Sequence, residues 1–176
     1  MKVFLIGYMG SGKSTMARKL AKELKYDFID LDDLISISLD KTIYEIFEEF
    51  GEHYFHEIEQ RFLLNTEDKE KTVIATGGGT PCFYDNMDWM NSNGITIYFR
   101  MSAGALYHRL ALDENKRPRL KAETDIDLVE QIVEDLTRRE HIYLRAKHVL
   151  KGETLNIAEL VELIKKQDKK VYSRYT

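Results

Sequence analysis

Apolar residues along this 176-residue chain alternate between short continuous runs and stretches that repeat at helical spacing. Val3 to Ile6 is the first continuous run and closes at Gly7. From Ser14 to Leu24 the residues Met16, Leu20 and Leu24 recur on one helical face. Tyr26 to Asp30 reads as a second strand, ending in Asp30-Leu31-Asp32-Asp33. Thr42-Ile43-Tyr44-Glu45 has the form of a capping box and opens a helical stretch carrying Ile46, Phe47 and Phe50. Gly51 breaks that run, and Tyr54, Phe55, Ile58 and Phe62 resume it. Thr72 to Ala75 is a third strand, closed by Thr76-Gly77-Gly78-Gly79-Thr80-Pro81. After a short helix and a turn at Asn93-Gly94, Ile95 to Phe99 is a fourth. Ser102 caps a helix through Leu106 and Leu110. Residues 113–124 hold seven charges in twelve positions with no apolar period, which marks a surface loop. Asp125 to Tyr143 predicts a long helix with Ile126, Val129, Ile132, Val133 and Leu136 on one face. Lys147 to Leu150 is a weak fifth strand, Asn156 caps a last helix, and the tail KKQDKKVYSRYT reads as a solvated end.

Strands that alternate with helices imply right-handed crossovers and a parallel sheet covered on both faces. The expected fold class is α/β, a three-layer α/β/α arrangement around a five-stranded parallel sheet. Ligands of such sheets sit at the carboxyl ends of the strands. The loop at 7–14, the aspartates at 30–33 and the glycines at 77–79 all follow strands and converge on that edge.

The first of these is informative on its own. Gly7-Tyr8-Met9-Gly10-Ser11-Gly12-Lys13-Ser14 is a complete G-x-x-x-x-G-K-S phosphate loop, with a strand before it and a helix after. Its backbone N–H groups turn inward at a helix N-terminus and form an anion nest. Lys13 reaches the β- and γ-phosphates of a nucleoside triphosphate, and the Ser14 hydroxyl suits the shell of a Mg²⁺ ion. Gly10, Ser11, Gly12 and Thr15 complete the expected nucleotide contacts.

Composition narrows the setting. With 43% hydrophobic and 32% charged residues and a net charge of −4, the chain offers no nucleic-acid or anionic-membrane surface. Cys82 is the only cysteine, which excludes an internal disulfide and any Cys-based zinc site, and it reads as a small buried packing residue. His53, His108 and His148 have no metal-ligand spacing. No apolar stretch approaches the roughly 18 residues of a membrane span, and the first strand begins too early for a signal peptide. The expectation is one cytoplasmic domain, with nothing that demands more than a monomer.

A phosphate loop serves switches, motors and kinases, so a second site must decide. The Asn-Lys-x-Asp segment that reads guanine in GTP switches is not in the chain. A small-molecule kinase needs a carboxylate beside its acceptor, and Asp30 and Asp32 end the strand expected to neighbour the loop. Two residues apart in an extended segment, they would point the same way; capping or turn formation is the alternative use of such aspartates.

Over nearly its whole length the chain resembles the shikimate kinase family. The resemblance rests on an ordered set: the N-terminal phosphate loop, Asp30-Leu31-Asp32, Phe55-His56-Glu57-Ile58-Glu59, Gly77-Gly78-Gly79, Arg117-Pro118-Arg119-Leu120, and Arg139 four residues before Tyr143. It implies ATP-dependent phosphorylation of the 3-hydroxyl of shikimate and a fold like the nucleoside-monophosphate kinases. A substrate-binding helical segment at about 31–68 and a mobile lid at about 113–124 come with it. It further implies that Asp32 holds the attacking hydroxyl as general base, that Asp30 holds Mg²⁺ through water alongside Ser14, and that Gly77, Gly78 and Gly79 face the substrate. Arg139 would bind the substrate carboxylate, Arg117 would descend with the lid onto the phosphates, and Arg109 would stack near adenine or face solvent. Arg119 is read as solvated.

One position departs from the family's Phe-Arg-x-x-Glu. His56 stands where an arginine grips the carboxylate, and an imidazole offers no two-pronged fork. The loss of a charge-assisted hydrogen bond costs about 1.5–3 kcal/mol, although Glu59 one turn away favours a charged imidazole. His141 also replaces a proline between Arg139 and Tyr143. An acceptor other than shikimate, or a nucleotide-binding regulator without catalysis, are the other readings.

Overall fold

The computed structural model describes residues 1–112 and 124–172. Five parallel strands form one sheet in the order β2-β3-β1-β4-β5: β1 Lys2–Ile6, β2 Asp27–Asp30, β3 Thr72–Ala75, β4 Ile95–Arg100 and β5 His148–Lys151. Among the described residues seven α-helices accompany it: α1 Lys13–Leu24, α2 Leu31–Leu39, α3 Ile43–Leu64, α4 Asn86–Asn93, α5 Ala103–Ala111, α6 Asp125–Tyr143 and α7 Ile157–Tyr172.

The apolar runs are continuous because both sheet faces are buried. Along β1, Val3 and Leu5 join Ala17, Leu20 and Ala21 of α1 and Leu160 and Ile164 of α7. Phe4 and Ile6 point the other way, onto Met87 and Met90 of α4 and Tyr143 of α6. All five residues of β1 are buried. A third cluster joins Tyr8 and Met9 of the phosphate loop to Leu106 and Leu110 of α5 and Ile132 of α6, seating the loop on an apolar bed.

Several ends follow the expected chemistry. Thr42 and Glu45 form a reciprocal capping box at α3, and the Ser102 hydroxyl accepts from Ala105 N at the start of α5. Gly51 bends α3 rather than ending it, with φ 81° and ψ 170°, a region that favours glycine. Strands β2 and β5 begin one residue later than their apolar runs. Helix α2 has no counterpart in the apolar pattern. Asp30 caps it, but its sequence LDDLISISL mixes the β-branched Ile35 and Ile37 with serines and carries no long period. Among the described residues, no helix is long and apolar enough to cross a membrane.

Strand β1 lies between β3 and β4: the chain runs from β1 out to β2 and back to β3 on one side, then crosses over to β4 on the other. This reversal of strand order is where α/β sheets open a crevice at their carboxyl edge.

Candidate active site

At that edge the backbone between β1 and α1 turns through Gly10 and Gly12, with φ 77° and 87°. Gly12 is the N-cap of α1. This left-handed geometry aims the following N–H groups into the loop, where the α1 dipole favours an anion. Lys13 is buried, and its ammonium lies across the loop, donating to the Tyr8 carbonyl at 2.9 Å. Ser14 and Thr15 are exposed at the helix start.

A cavity of about 260 Å³ opens beside the loop, and its walls bring together Lys13, Ser14, Asp30, Asp32 and the Gly77–Gly79 turn. The three strand-end segments thus meet in one place. The reason the two aspartates share a wall differs from the expectation, because Asp32 lies in the first turn of α2 and not in extended chain. Asp30 is the N-cap, its Oδ1 accepting from Asp32 N at 3.1 Å and Asp33 N at 3.4 Å. The capping use of Asp30 and its place in the cavity therefore coexist. Asp33 crowds the same rim, and its carboxyl is raised above its ordinary value by burial and then by the charge of Asp30, against an opposing pull from Arg18.

The opposite wall is a buried polar hub. Glu59 is 1 % exposed; its Oε1 accepts from the Thr80 hydroxyl at 2.7 Å, and its Oε2 lies 2.6 Å from His56 Nδ1. Gly77 is closely surrounded here. A Cβ on it would stand 2.9 Å from Asp32 Oδ1 and from Thr80 Oγ1, and would run into Glu59 Oε1. The Gly78 carbonyl accepts from the Tyr143 hydroxyl at 2.5 Å, which fastens the turn to α6.

His56 sits beside this hub on α3. It is 1 % exposed, its ring stacks on Phe83 with centroids 3.4 Å apart, and its two nitrogens face Glu59 and, at 3.4 Å, Glu52. The imidazole is engaged by two carboxylates of its own helix, and the Phe83 stack ties α3 to the segment that follows the glycine turn. Arg139 faces a second cavity of about 550 Å³, whose wall shares Phe47 with the first. Its Nη2 donates to Asp135 Oδ1 at 3.2 Å. Its Nη1 is buried and, among the described residues, has no hydrogen-bond partner. Burial opposes its charge, but Tyr143, Asp135 and Tyr8 together hold its pKa above the usual arginine value. A buried guanidinium nitrogen without an acceptor is costly, and an incoming anion would relieve it.

Arg109 is exposed and at the same time reaches the loop. Its Nη1 donates to the Ser11 carbonyl at 3.0 Å, and it lines a depression with Thr15, Phe99 and Glu153. Cys82 is half-buried and lines the second cavity, so packing is only part of its setting. Arg117 and Arg119 fall outside the described residues. The residues missed from the sequence are Tyr8, Thr80, Phe83 and Asp135. Only Asp135 had a signal, its i, i+4 spacing to Arg139.

As for a metal, the described residues contain no group of three or more His, Cys, Asp or Glu side chains able to hold one. The hard oxygens of Ser14 and Asp30 fit Mg²⁺, which is commonly held by one or two protein oxygens together with substrate phosphates.

A phosphate loop facing two carboxylates across a crevice, on a parallel sheet of this order, defines an ATP-dependent kinase of small molecules. Comparison with known proteins gives the family. The family model described as shikimate kinase matches residues 9–169. A shikimate kinase of Phocaeicola vulgatus is 41% identical over 154 residues, covering 88% of each chain. One of Parabacteroides distasonis is 42% identical, covering 88% of this chain and 89% of its own. The crystal structure of the shikimate kinase of Bacteroides thetaiotaomicron superposes with a TM-score of 0.88 at 36% identity, covering 96% and 98% of the two chains. The chain belongs to the shikimate kinase family.

Proposed function

We propose that this enzyme transfers the γ-phosphate of ATP to the 3-hydroxyl of shikimate, giving shikimate 3-phosphate and ADP, a step of aromatic amino acid biosynthesis by way of chorismate. The observation that carries the reading is the shared cavity of Lys13, Ser14 and Asp32. A homologous shikimate kinase of Acinetobacter baumannii, 28% identical with a TM-score of 0.82 and covering 98% of this chain and 93% of its own, has been solved in complex with shikimate. The curated relatives at 38–42% identity are shikimate kinases too, which argues against a different acceptor.

In the proposed mechanism Asp32 takes the proton of the attacking hydroxyl, a new P–O bond forms to that oxygen, and the bond from the γ-phosphorus to the β–γ bridging oxygen breaks. Lys13 and the loop N–H groups, with Gly10, Ser11, Gly12 and Thr15 around them, stabilise charge on the phosphates, where preorganised donors count most. Ser14, and Asp30 through water, would hold a Mg²⁺ ion, whose charge would offset that of the phosphates. Arg109 borders the depression in which adenine would lie. Gly77, Gly78 and Gly79 form the wall facing the acceptor, and Arg139 binds its carboxylate. His56 acts through Glu59. Arg117 and residues 113–123 of the expected lid lie outside the described residues. The enzyme is read as a cytoplasmic monomer of one domain, its substrate segment at about 31–68, with no nucleic-acid partner. A coupled ADP-release assay tests the activity: shikimate-dependent turnover is expected, and none above background at millimolar shikimate would reject it.

A further inference from the structure

Helix α6 carries a carboxylate that phosphoryl transfer leaves unused. Asp135 is 4 % exposed, and a buried carboxylate persists only where donors surround it. Three do. The Tyr8 hydroxyl, reaching from inside the phosphate loop, donates to Oδ2 at 2.7 Å. The Nη2 groups of Arg138 and Arg139 donate to Oδ1 at 2.8 and 3.2 Å. The two arginines differ, because the Arg138 side chain is 69% exposed and that of Arg139 only 15%. The Arg139 guanidinium carbon also lies 5.8 Å from the centroid of the Tyr8 ring. Tyr8 thus touches the carboxylate with its hydroxyl and the guanidinium with its face, closing a triangle between the phosphate loop and α6.

We propose that Asp135, fixed by Tyr8, is a positioning residue for the acceptor. It anchors one nitrogen of Arg139 so that the buried Nη1 is left for the acceptor's carboxylate, and it makes that orientation depend on the phosphate loop. An arginine loses rotamer freedom when fixed, and one anchored before the ligand arrives loses less on binding. The cluster also sums to one positive charge, two guanidiniums against one carboxylate, which favours an anionic acceptor over a neutral one. The proposal rests on the reading of Arg139 given above.

The test is steady-state kinetics with shikimate on Asp135→Asn, Arg139→Lys and the double variant, with ADP affinity and thermal unfolding measured in parallel. Asp135→Asn should raise the shikimate KM about tenfold or more while kcat stays within about threefold. The double variant should be no worse than Arg139→Lys alone, since both act through one guanidinium. A merely structural role would lower kcat as well and would multiply with Arg139→Lys, and either result overturns the proposal. An unchanged shikimate KM in Asp135→Asn beside a raised one in Arg139→Lys overturns it alone; an unchanged KM in Arg139→Lys overturns the reading of Arg139 and this proposal together. If Asp135→Asn does not fold, Tyr8→Phe carries the same comparison: a raised shikimate KM that is not multiplied by Arg139→Lys supports the proposal, and an unchanged KM overturns it.

Discussion

Replacing Gly77 with alanine adds one methyl group at the point where the two walls of the cavity meet. The new Cβ would stand 2.9 Å from Asp32 Oδ1 and Thr80 Oγ1, and the Glu59 carboxylate would have to leave its place. Moving Glu59 breaks its 2.7 Å bond from Thr80 and disturbs its contact with His56. Overpacking of this kind costs about 1–3 kcal/mol, and the loss of a hydrogen bond to a charged group costs about 1.5–3 kcal/mol. Because the site will relax, a net loss of about 2–4 kcal/mol is expected. Displacing Asp32 by about 1 Å should lower kcat about a hundredfold. Gly104→Ala is the control: it sits in the first turn of α5, has a helical φ, and its Cβ would meet nothing within 4 Å. That change should stabilise the protein by about 0.5–1 kcal/mol. Urea unfolding and the coupled assay read both quantities. A Gly77→Ala protein within about 0.5 kcal/mol of the wild type and equally active would refute the account of the turn.

Three further outcomes follow from the geometry. Asp30→Ala removes the cap of α2, so it should cost about 1 kcal/mol in unfolding experiments and also raise the Mg²⁺ concentration needed for half-maximal rate; a change in neither would remove both roles from Asp30. The Glu45 carboxyl is held below its ordinary value by the backbone N–H and hydroxyl of Thr42. Its folded pKa therefore lies below the unfolded one, and the stabilisation is present above the unfolded pKa and lost as pH falls through the folded one. In Thr42→Ala, melting curves taken from neutral to acid pH should show a smaller acid-dependent loss than the wild type, and an identical slope would contradict this. His56→Arg places a guanidinium against Phe83 and Glu59 and restores a fork; calorimetric titration should give a shikimate Kd about tenfold lower, whereas an unchanged Kd would mean that Arg139 already supplies the carboxylate contact.

Strands β1, β3 and β4 were legible because their burial on both faces writes itself as unbroken apolar runs, and the phosphate loop because its glycines sit where φ is positive. The capping box at α3 was visible for a similar reason: it is a local contact between Thr42 and Glu45, three residues apart. Helix α2 was not visible, since its stability comes from the Asp30 cap and from Leu31 and Ile35 buried against other elements. The shared orientation of Asp30 and Asp32 was inferred for an extended chain, whereas a helical turn produces it. His56 showed the limit of reading one helix by itself. Acidic neighbours at i−4 and i+3 resemble a solvated face, and only the fold brings Phe83 onto the ring and buries it. Tyr8 and Asp135 are 127 residues apart, and only the packing of α6 on the loop joins them.

The whole account requires Lys13 and Asp32 to act on one phosphoryl group in one crevice. The most direct measurement is single-turnover transfer from ATP to shikimate by Asp32→Asn, with ATP affinity determined on the same preparation. The account predicts ATP affinity within about threefold of the wild type and transfer slowed about a hundredfold or more, the usual worth of a positioned proton acceptor. Transfer at the wild-type rate with ATP bound normally would contradict it.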